Sequence, residues 1–385
     1  MTRIAIVGAG AICDAHIDAY RQHPDQCRVV ALVDLQREKA AAKAARHGLD
    51  VAVHAEVGEL IAQADFDAAS VCLPPFAHAS AAVELLRAGK HVLVEKPMAS
   101  CLEECDAMLA AAAASGRVLS VVAQNRFKTP MLKLKRVLES GLAGRILSAR
   151  VDSFWWRGDR YYDLWWRGTW EKEGGGCVMN HAVHHLDLFL WFLGPPVEVL
   201  AVTRNLAHPN SEVEDYATAI LQYADGAAGV VTASLVHHGE DQRLVFQGER
   251  AEVAVPWQVR ACRQRENGFP DLDTELAGQL EQFYRGLPDV PREGHPGQIG
   301  NFLEAIAGTA ALWVDGRQGR ATVELVSAIY QSAHAGHSVR LPLEAGAPFY
   351  TRDGILRHAR RFHQKTRSIQ DFGSNEISLA GNYGR

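Results

Sequence analysis

The chain has 385 residues, 48% hydrophobic and 22% charged, with a net charge of −5. It is too long for one small core, too apolar for a disordered chain, and too acidic overall to recruit nucleic acid by its global field. The longest apolar runs, such as Ala107–Ala114 and Leu188–Leu193, fall short of the roughly 20 residues a membrane span needs, so no membrane partner is expected. Met1-Thr2-Arg3 runs directly into the apolar Ile4–Val7 with no leader-like stretch, which predicts a cytoplasmic protein. Cys13, Cys27, Cys72, Cys101, Cys105, Cys177 and Cys262 are odd in number and scattered, a pattern for free thiols rather than a disulfide framework.

The first third alternates strand and helix. Ile4–Val7 and Val29–Val33 are apolar runs of the kind buried on both faces of a sheet. Ala69–Leu73, His91–Val94 and Val118–Ala123 repeat the pattern, with helices near 37–46, 78–88 and 102–114 between them. Such β-α-β alternation predicts a doubly wound parallel sheet over 1–125, a Rossmann-type dinucleotide-binding domain. After residue 125 longer strands are predicted at 146–156, 197–204, 216–223, 228–237 and 243–247. Helices are predicted near 131–140, 176–193, 297–307 and 316–335. Together they predict an α+β domain over 126–345 with a large, mostly antiparallel open sheet. The polar, proline-containing segment 262–296 reads as helix plus loop, and 346–385 as an appended tail.

Chemistry begins at the first turn. Gly8-x-Gly10-x-x-Cys13 is similar to the dinucleotide fingerprint, with Cys13 standing where a third small residue belongs. Gly8, Ala9, Gly10, Ala11 and Ile12 are therefore expected around a pyrophosphate. Asp34, ending the second strand, is expected to accept hydrogen bonds from the ribose hydroxyls, with Leu35 beside it, which favours NAD over NADP. Arg37 leaves room for a 2′-phosphate. Leu73, Pro74, Pro75 and His78, then Glu95 and Lys96, follow later parallel strands at the carboxyl edge where such sheets bind ligands, and Gln124 follows the last. A lysine there can donate to a substrate hydroxyl or shuttle protons.

The third block is Gly174-Gly175-Gly176 followed by Asn180, His181, His184, His185 and Asp187. On a helix, Asn180, His184 and Asp187 share one stripe, and His181 and His185 another. The latter pair lacks a third ligand, so no metal is expected. A histidine acting as general base is the alternative, with the glycines letting backbone approach the cofactor.

Taken together, Gly8-x-Gly10, Asp34, Glu95-Lys96-Pro97 and Gly-Gly-Gly…His184-x-x-Asp187 resemble the Gfo/Idh/MocA oxidoreductases over roughly residues 1–345. The resemblance implies NAD-dependent dehydrogenation of a sugar, sugar derivative or cyclitol. Lys96 would be the catalytic lysine and His184 the acid/base. Asn180 stands where that family carries an aspartate; it can orient but cannot bear charge. The resemblance also implies that the open sheet forms the subunit interface. A non-catalytic, nucleotide-sensing protein on the same fold is the second class open, disfavoured by the presence of both Lys96 and His184.

Phe154–Trp170 holds five of the eight tryptophans, and arginines besides. Aromatic faces stack on sugar C–H surfaces and arginine forks bind anions. Arg157, Tyr162, Trp166 and Arg167 are thus expected to face substrate, together with Asn125, Arg126, Lys96, Asn180, His181 and His184. In the tail, Arg352, Arg357, Arg360, Arg361, Lys365 and Arg367 predict a solvated or subunit-contacting helix wrapped along a neighbour. The strands 216–223 and 228–237 lack a charged outer face, which predicts sheet-to-sheet pairing in a homodimer or homotetramer.

Overall fold

The computed structural model describes residues 1–372; the end of the expected tail, 373–385, lies outside them. β1 (Thr2–Val7), β2 (Cys27–Val33), β3 (Ala52–His54), β4 (Ala68–Val71), β5 (His91–Val94) and β6 (Leu119–Val121) form one sheet in the order β3-β2-β1-β4-β5-β6. Every pair in it is parallel. Helices cover both faces, so the central strands are apolar along most of their length. Strand order reverses between β1 and β4, and the chain leaves these strands in opposite directions. That opens a crevice at their carboxyl ends. Gly8–Gly10 leaves β1 there, Leu73–Pro75 leaves β4, and Glu95–Pro97 leaves β5.

The second sheet has nine strands: β7 (Ile146–Phe154), β8 (Glu198–Arg204), β9 (Tyr216–Gln222), β10 (Ala228–Ser234), β11 (Gln242–Gly248), β12 (Ala251–Val255), β13 (Gln258–Gln264), β14 (Pro270–Leu272) and β15 (Val339–Arg340). Their order is β14-β13-β12-β11-β7-β10-β9-β8-β15. All neighbours are antiparallel except β7 and β10. The helices Val183–Leu193 and Gly316–Ala335 pack together, and the latter lies against β8. The other face leaves a row of apolar side chains uncovered. Leu200 pairs with Ile220, and Ile220 with Val230, across three strands, and all three are exposed.

Three expectations change. The segment 262–296 is not only helix and loop: it completes β13, adds β14, and then forms the helix Thr274–Gly286. The helix His295–Ile306 follows β14 in the chain but completes the first core, where Ile299, Phe302 and Leu303 join Ile4, Ile6, Ile17 and Tyr20. The tail is anchored on its own chain as far as it is described. After the short helix Arg352–His358, Trp170 Nε1 donates to the Arg360 carbonyl at 3.0 Å. Trp165 N–H donates to the Ile369 carbonyl at 2.9 Å, and Ile369 N–H to the Asp163 carbonyl at 2.8 Å. Its cations meet acids of the same chain: Arg361 lies 3.5 Å from Glu212 and Arg367 lies 3.2 Å from Asp163. No helix among the described residues is long and apolar enough to cross a membrane.

Candidate active site

Gly8 has a φ of +104°, and a Cβ there would sit 2.5 Å from the Cys72 carbonyl, so only glycine fits. Gly10 is different: it is extended, and nothing lies within 4 Å of where its Cβ would be. That open side borders the N-terminus of the helix Ala11–Arg21, which carries no side-chain cap. Free N–H groups and the positive end of the helix dipole make this a cradle for an anion. Cys13 fills the third position, fully buried against the sheet. Asp34 closes the loop from β2. Its Oδ2 accepts from Ala9 N–H and its Oδ1 from Gln36 N–H, both at 2.9 Å. These residues fit a dinucleotide: room for the pyrophosphate beside Gly10, and a fixed carboxylate one strand away.

Lys96 and His184 line one cavity with Met98, Asn125, Asp187 and Thr322. Lys96 Nζ donates to the backbone carbonyl of Asn180 at 3.2 Å. Burial lowers the Lys96 pKa, while the neighbouring Glu95 carboxylate opposes that shift. His184 is held well below the usual histidine value by burial and then by the Lys96 charge. Among the described residues, no protein group hydrogen-bonds its ring. A neutral imidazole with an open nitrogen, beside a cation, can accept a proton and leave the lysine to face a developing oxyanion.

The helix carrying His184 starts in an unusual way. Residues Val178–Ala182 form a wide π-type turn before the α-helix Val183–Leu193, so the expected i, i+4, i+7 stripe is locally stretched. The three glycines ahead of it pack against protein, contrary to the sequence reading that they admit cofactor. A Cβ on Gly175 would sit 2.2 Å from the Tyr330 hydroxyl oxygen, and one on Gly176 would overlap the Glu214 carbonyl. Glu214 is fully buried there. Its Oε1 accepts from Gly176 N–H, Val178 N–H and Tyr330 O–H at 3.1, 3.0 and 2.8 Å.

Residues 2–123 match the family described as an oxidoreductase family with an NAD-binding Rossmann fold, and residues 131–254 match the GFO/IDH/MocA C-terminal domain. The chain belongs to the Gfo/Idh/MocA oxidoreductases. It is similar to the WlbA dehydrogenase of Bordetella pertussis, solved with NADH and UDP-GlcNAcA: 31% identical, TM-score 0.78, covering 89% of this chain and 98% of that one. It is 26% identical to inositol 2-dehydrogenase of Rhizobium meliloti, over 86% of this chain and 96% of the relative. It is 27% identical to levoglucosan dehydrogenase of Pseudarthrobacter phenanthrenivorans, over 76% and 84% respectively.

Within this Gfo/Idh/MocA site, several residues singled out in the sequence do other work. Arg37 is turned to Glu59 in a two-bond pair at 2.6 and 2.7 Å. His78 is buried, with Nδ1 2.8 Å from the Pro97 carbonyl and Nε2 2.7 Å from the Leu73 carbonyl. It ties two crevice loops together and offers no ring nitrogen to a cofactor. Glu95 is likewise buried and faces two histidines behind the loop. Arg126 grips Asp187 rather than open space. Tyr162 is core, edge-on to His208 with ring centroids 5.0 Å apart. Asn180 uses its side-chain amide on the Gly175 carbonyl at 3.2 Å and meets Lys96 through its own carbonyl. Leu35 is exposed, whereas Gln124 is buried.

The aromatic segment forms a layered wall. Arg167 lies 4.0 Å from the Tyr161 ring centroid and 4.2 Å from that of Trp166, and its Nη1 bonds Glu173 at 3.1 Å. Tyr161 O–H reaches His181 Nε2 at 3.4 Å. Arg157 pairs with Glu240 at 2.5 Å. Glu173, Glu214, His16 and His295 escaped the sequence reading, whereas Tyr161 lies in the aromatic stretch that it marked for substrate. None of those that escaped sits in a motif; Glu173 is bonded from within the aromatic stretch, and distant parts of the chain bring in Glu214, His16 and His295.

Proposed function

We propose that the chain is an NAD-dependent dehydrogenase of a sugar, sugar derivative or cyclitol, exchanging a secondary hydroxyl for a ketone. The observation that carries the reading is Lys96 and His184 facing one cavity at the carboxyl edge of the sheet whose first turn cradles a dinucleotide. NAD, when bound, supplies the hydride acceptor. The chain supplies the rest. Neutral His184 takes the hydroxyl proton at an open ring nitrogen. Lys96, held by the Asn180 carbonyl, donates to the oxygen as charge grows on it. Asn180 thus aims the lysine, and no charged relay behind His184 is needed. The Tyr161–Trp166–Arg167 wall offers faces for sugar C–H groups. The WlbA likeness and the relatives acting on inositol and levoglucosan support this substrate class.

The same reading assigns the exposed Leu200–Ile220–Val230 row to a second copy of this chain. The test of function is a panel of inositols, aldoses, glycosides and UDP-sugars followed by NADH absorbance. No NAD-dependent turnover of any class would overturn the reading.

A further inference from the structure

Behind Lys96 lies a buried cluster that the reaction, as described, does not use. His16 comes from the helix whose N-terminus forms the anion cradle. Glu95 follows β5 directly, and His295 opens the helix His295–Ile306. Their exposures are 0, 5 and 8%. Glu95 Oε1 lies 3.0 Å from His16 Nε2 and 3.3 Å from His295 Nε2, and Oε2 accepts Lys96 N–H at 3.1 Å.

One proton assignment satisfies the whole cluster. An ionised carboxylate only accepts, so both Nε2 atoms carry hydrogen and donate to Oε1. His16 Nδ1 is then an acceptor, and the Ser70 hydroxyl donates a hydrogen bond to it at 3.1 Å. Ser70 Oγ in turn accepts from Tyr20 O–H at 2.7 Å. Burial alone would push the Glu95 carboxyl up, but the two imidazoles hold it well below the ordinary carboxylate range. A buried anion is costly without a cation nearby; Lys96 is the next residue, its backbone N–H bonds this carboxylate, and its ammonium, held on the Asn180 carbonyl, feels the Glu95 charge through space.

We infer that His16 and His295 are positioning residues that fix an ionised Glu95 as the buried counter-charge of Lys96. Three elements thereby share one carboxylate: the cofactor helix, the lysine turn and a helix from the far end of the chain. The groups facing Lys96 are Glu95 in the same turn after β5, His78 from the helix after β4, His181 and His184 from the glycine-block helix, and Arg167 and Glu173 from the aromatic wall. Those facing Glu95, besides the two histidines and Lys96, are His78, Cys72 and His184. The inference takes from the proposed function only the importance of Lys96, and its test needs no substrate.

Competitive amine labelling over a pH series, read by peptide mass spectrometry, gives the Lys96 titration midpoint in the full chain. Glu95→Gln should lower that midpoint by about one pH unit, the scale of losing a nearby opposite charge. His295→Leu should lower it too, and His295→Gln, which restores a donor near Nε2, should bring it back. The His295 pair keeps the test decisive if Glu95→Gln does not fold. A cluster that only packs the core would lower melting temperature and leave the midpoint in place, which would overturn the inference. So would stoichiometric zinc or manganese in the purified chain, because the same three atoms would then be ligands. Turnover on the panel with an unmoved Lys96 midpoint sinks this inference alone; a shifted midpoint without turnover sinks only the proposed function.

Discussion

Arg126 and Asp187 meet in a two-bond ion pair, Nε to Oδ2 and Nη2 to Oδ1, both at 2.7 Å and both nearly closed to solvent. It joins the turn after β6 to the helix that carries His184. Removing one partner strands the other charge in the interior, which costs about 3–5 kcal/mol. We expect Asp187→Asn to lower stability on that scale in chemical denaturation. Arg126→Lys should fare little better, since lysine lacks the planar fork. An Asp187→Asn protein as stable as the parent would show that the pair does not hold the helix.

Cofactor choice should follow Asp34. A carboxylate held against the Gly8–Gly10 loop repels a 2′-phosphate. NAD should bind at least about tenfold more tightly than NADP, because like charges facing across a contact cost several kcal/mol. Asp34→Ser should narrow the gap. Adding Glu59→Gln, which releases Arg37 from its partner, should narrow it further. Fluorescence titration with both nucleotides decides; equal affinities in the parent would remove Asp34 as the discriminator.

Lys96→Met and His184→Ala should each lower kcat by ~10²-fold or more while leaving NAD affinity nearly unchanged, as expected for groups that act on the reacting oxygen. Steady-state kinetics beside nucleotide titration separates the two effects. Full activity in His184→Ala would reassign the base.

Glu214 makes stability depend on pH. Burial pushes its carboxyl from an ordinary 4.5 up to about 7. Between those values the folded chain holds a proton that the unfolded chain has released, so this group's contribution falls as pH rises from 4.5 towards 7. We expect the melting temperature of Glu214→Gln, relative to the parent, to improve from pH 5 to pH 8 (~3 pH units, the span over which one such group titrates). A difference that stays flat across the range would place the Glu214 titration elsewhere.

The exposed row on the second sheet should be an interface. Leu200→Lys together with Ile220→Lys places two charges on neighbouring strands of that face. Light scattering should show an oligomer in the parent and smaller species in the variant. A monomeric parent at micromolar concentration would rule the interface out.

The parallel half was legible because Ile4–Val7, the end of β2, and most of β4 and β5 are buried and read as short, largely apolar runs. β3 escaped because three residues carry no period. β13 and β14 escaped because they lie at the sheet edge with polar, exposed side chains, and nothing in composition separates such strands from loop. Lys96 and His184 could be singled out through the family resemblance of the segments that hold them, and the structure places both on one cavity. Arg126 misled because an arginine in a cleft segment looks the same whether it faces substrate or an acid some sixty residues away. His16 was invisible for the reverse reason. On an apolar helix a lone histidine reads as filler, and its meaning depends on His295, which only folding brings near.

The helix His295–Ile306 completes the first core from the far end of the chain, with His23 Nε2 meeting the Pro296 carbonyl at 2.8 Å. The nucleotide-binding half is therefore not a contiguous module. A chimera that exchanged residues 1–125 with a relative at a single crossover would bring in a foreign floor for Ile299, Phe302 and Leu303 and a foreign partner for His295. Recombination of cofactor preference with substrate preference in this fold needs a second junction on each side of that helix, and libraries built with one junction should be dominated by clones that fail to fold rather than clones with altered specificity.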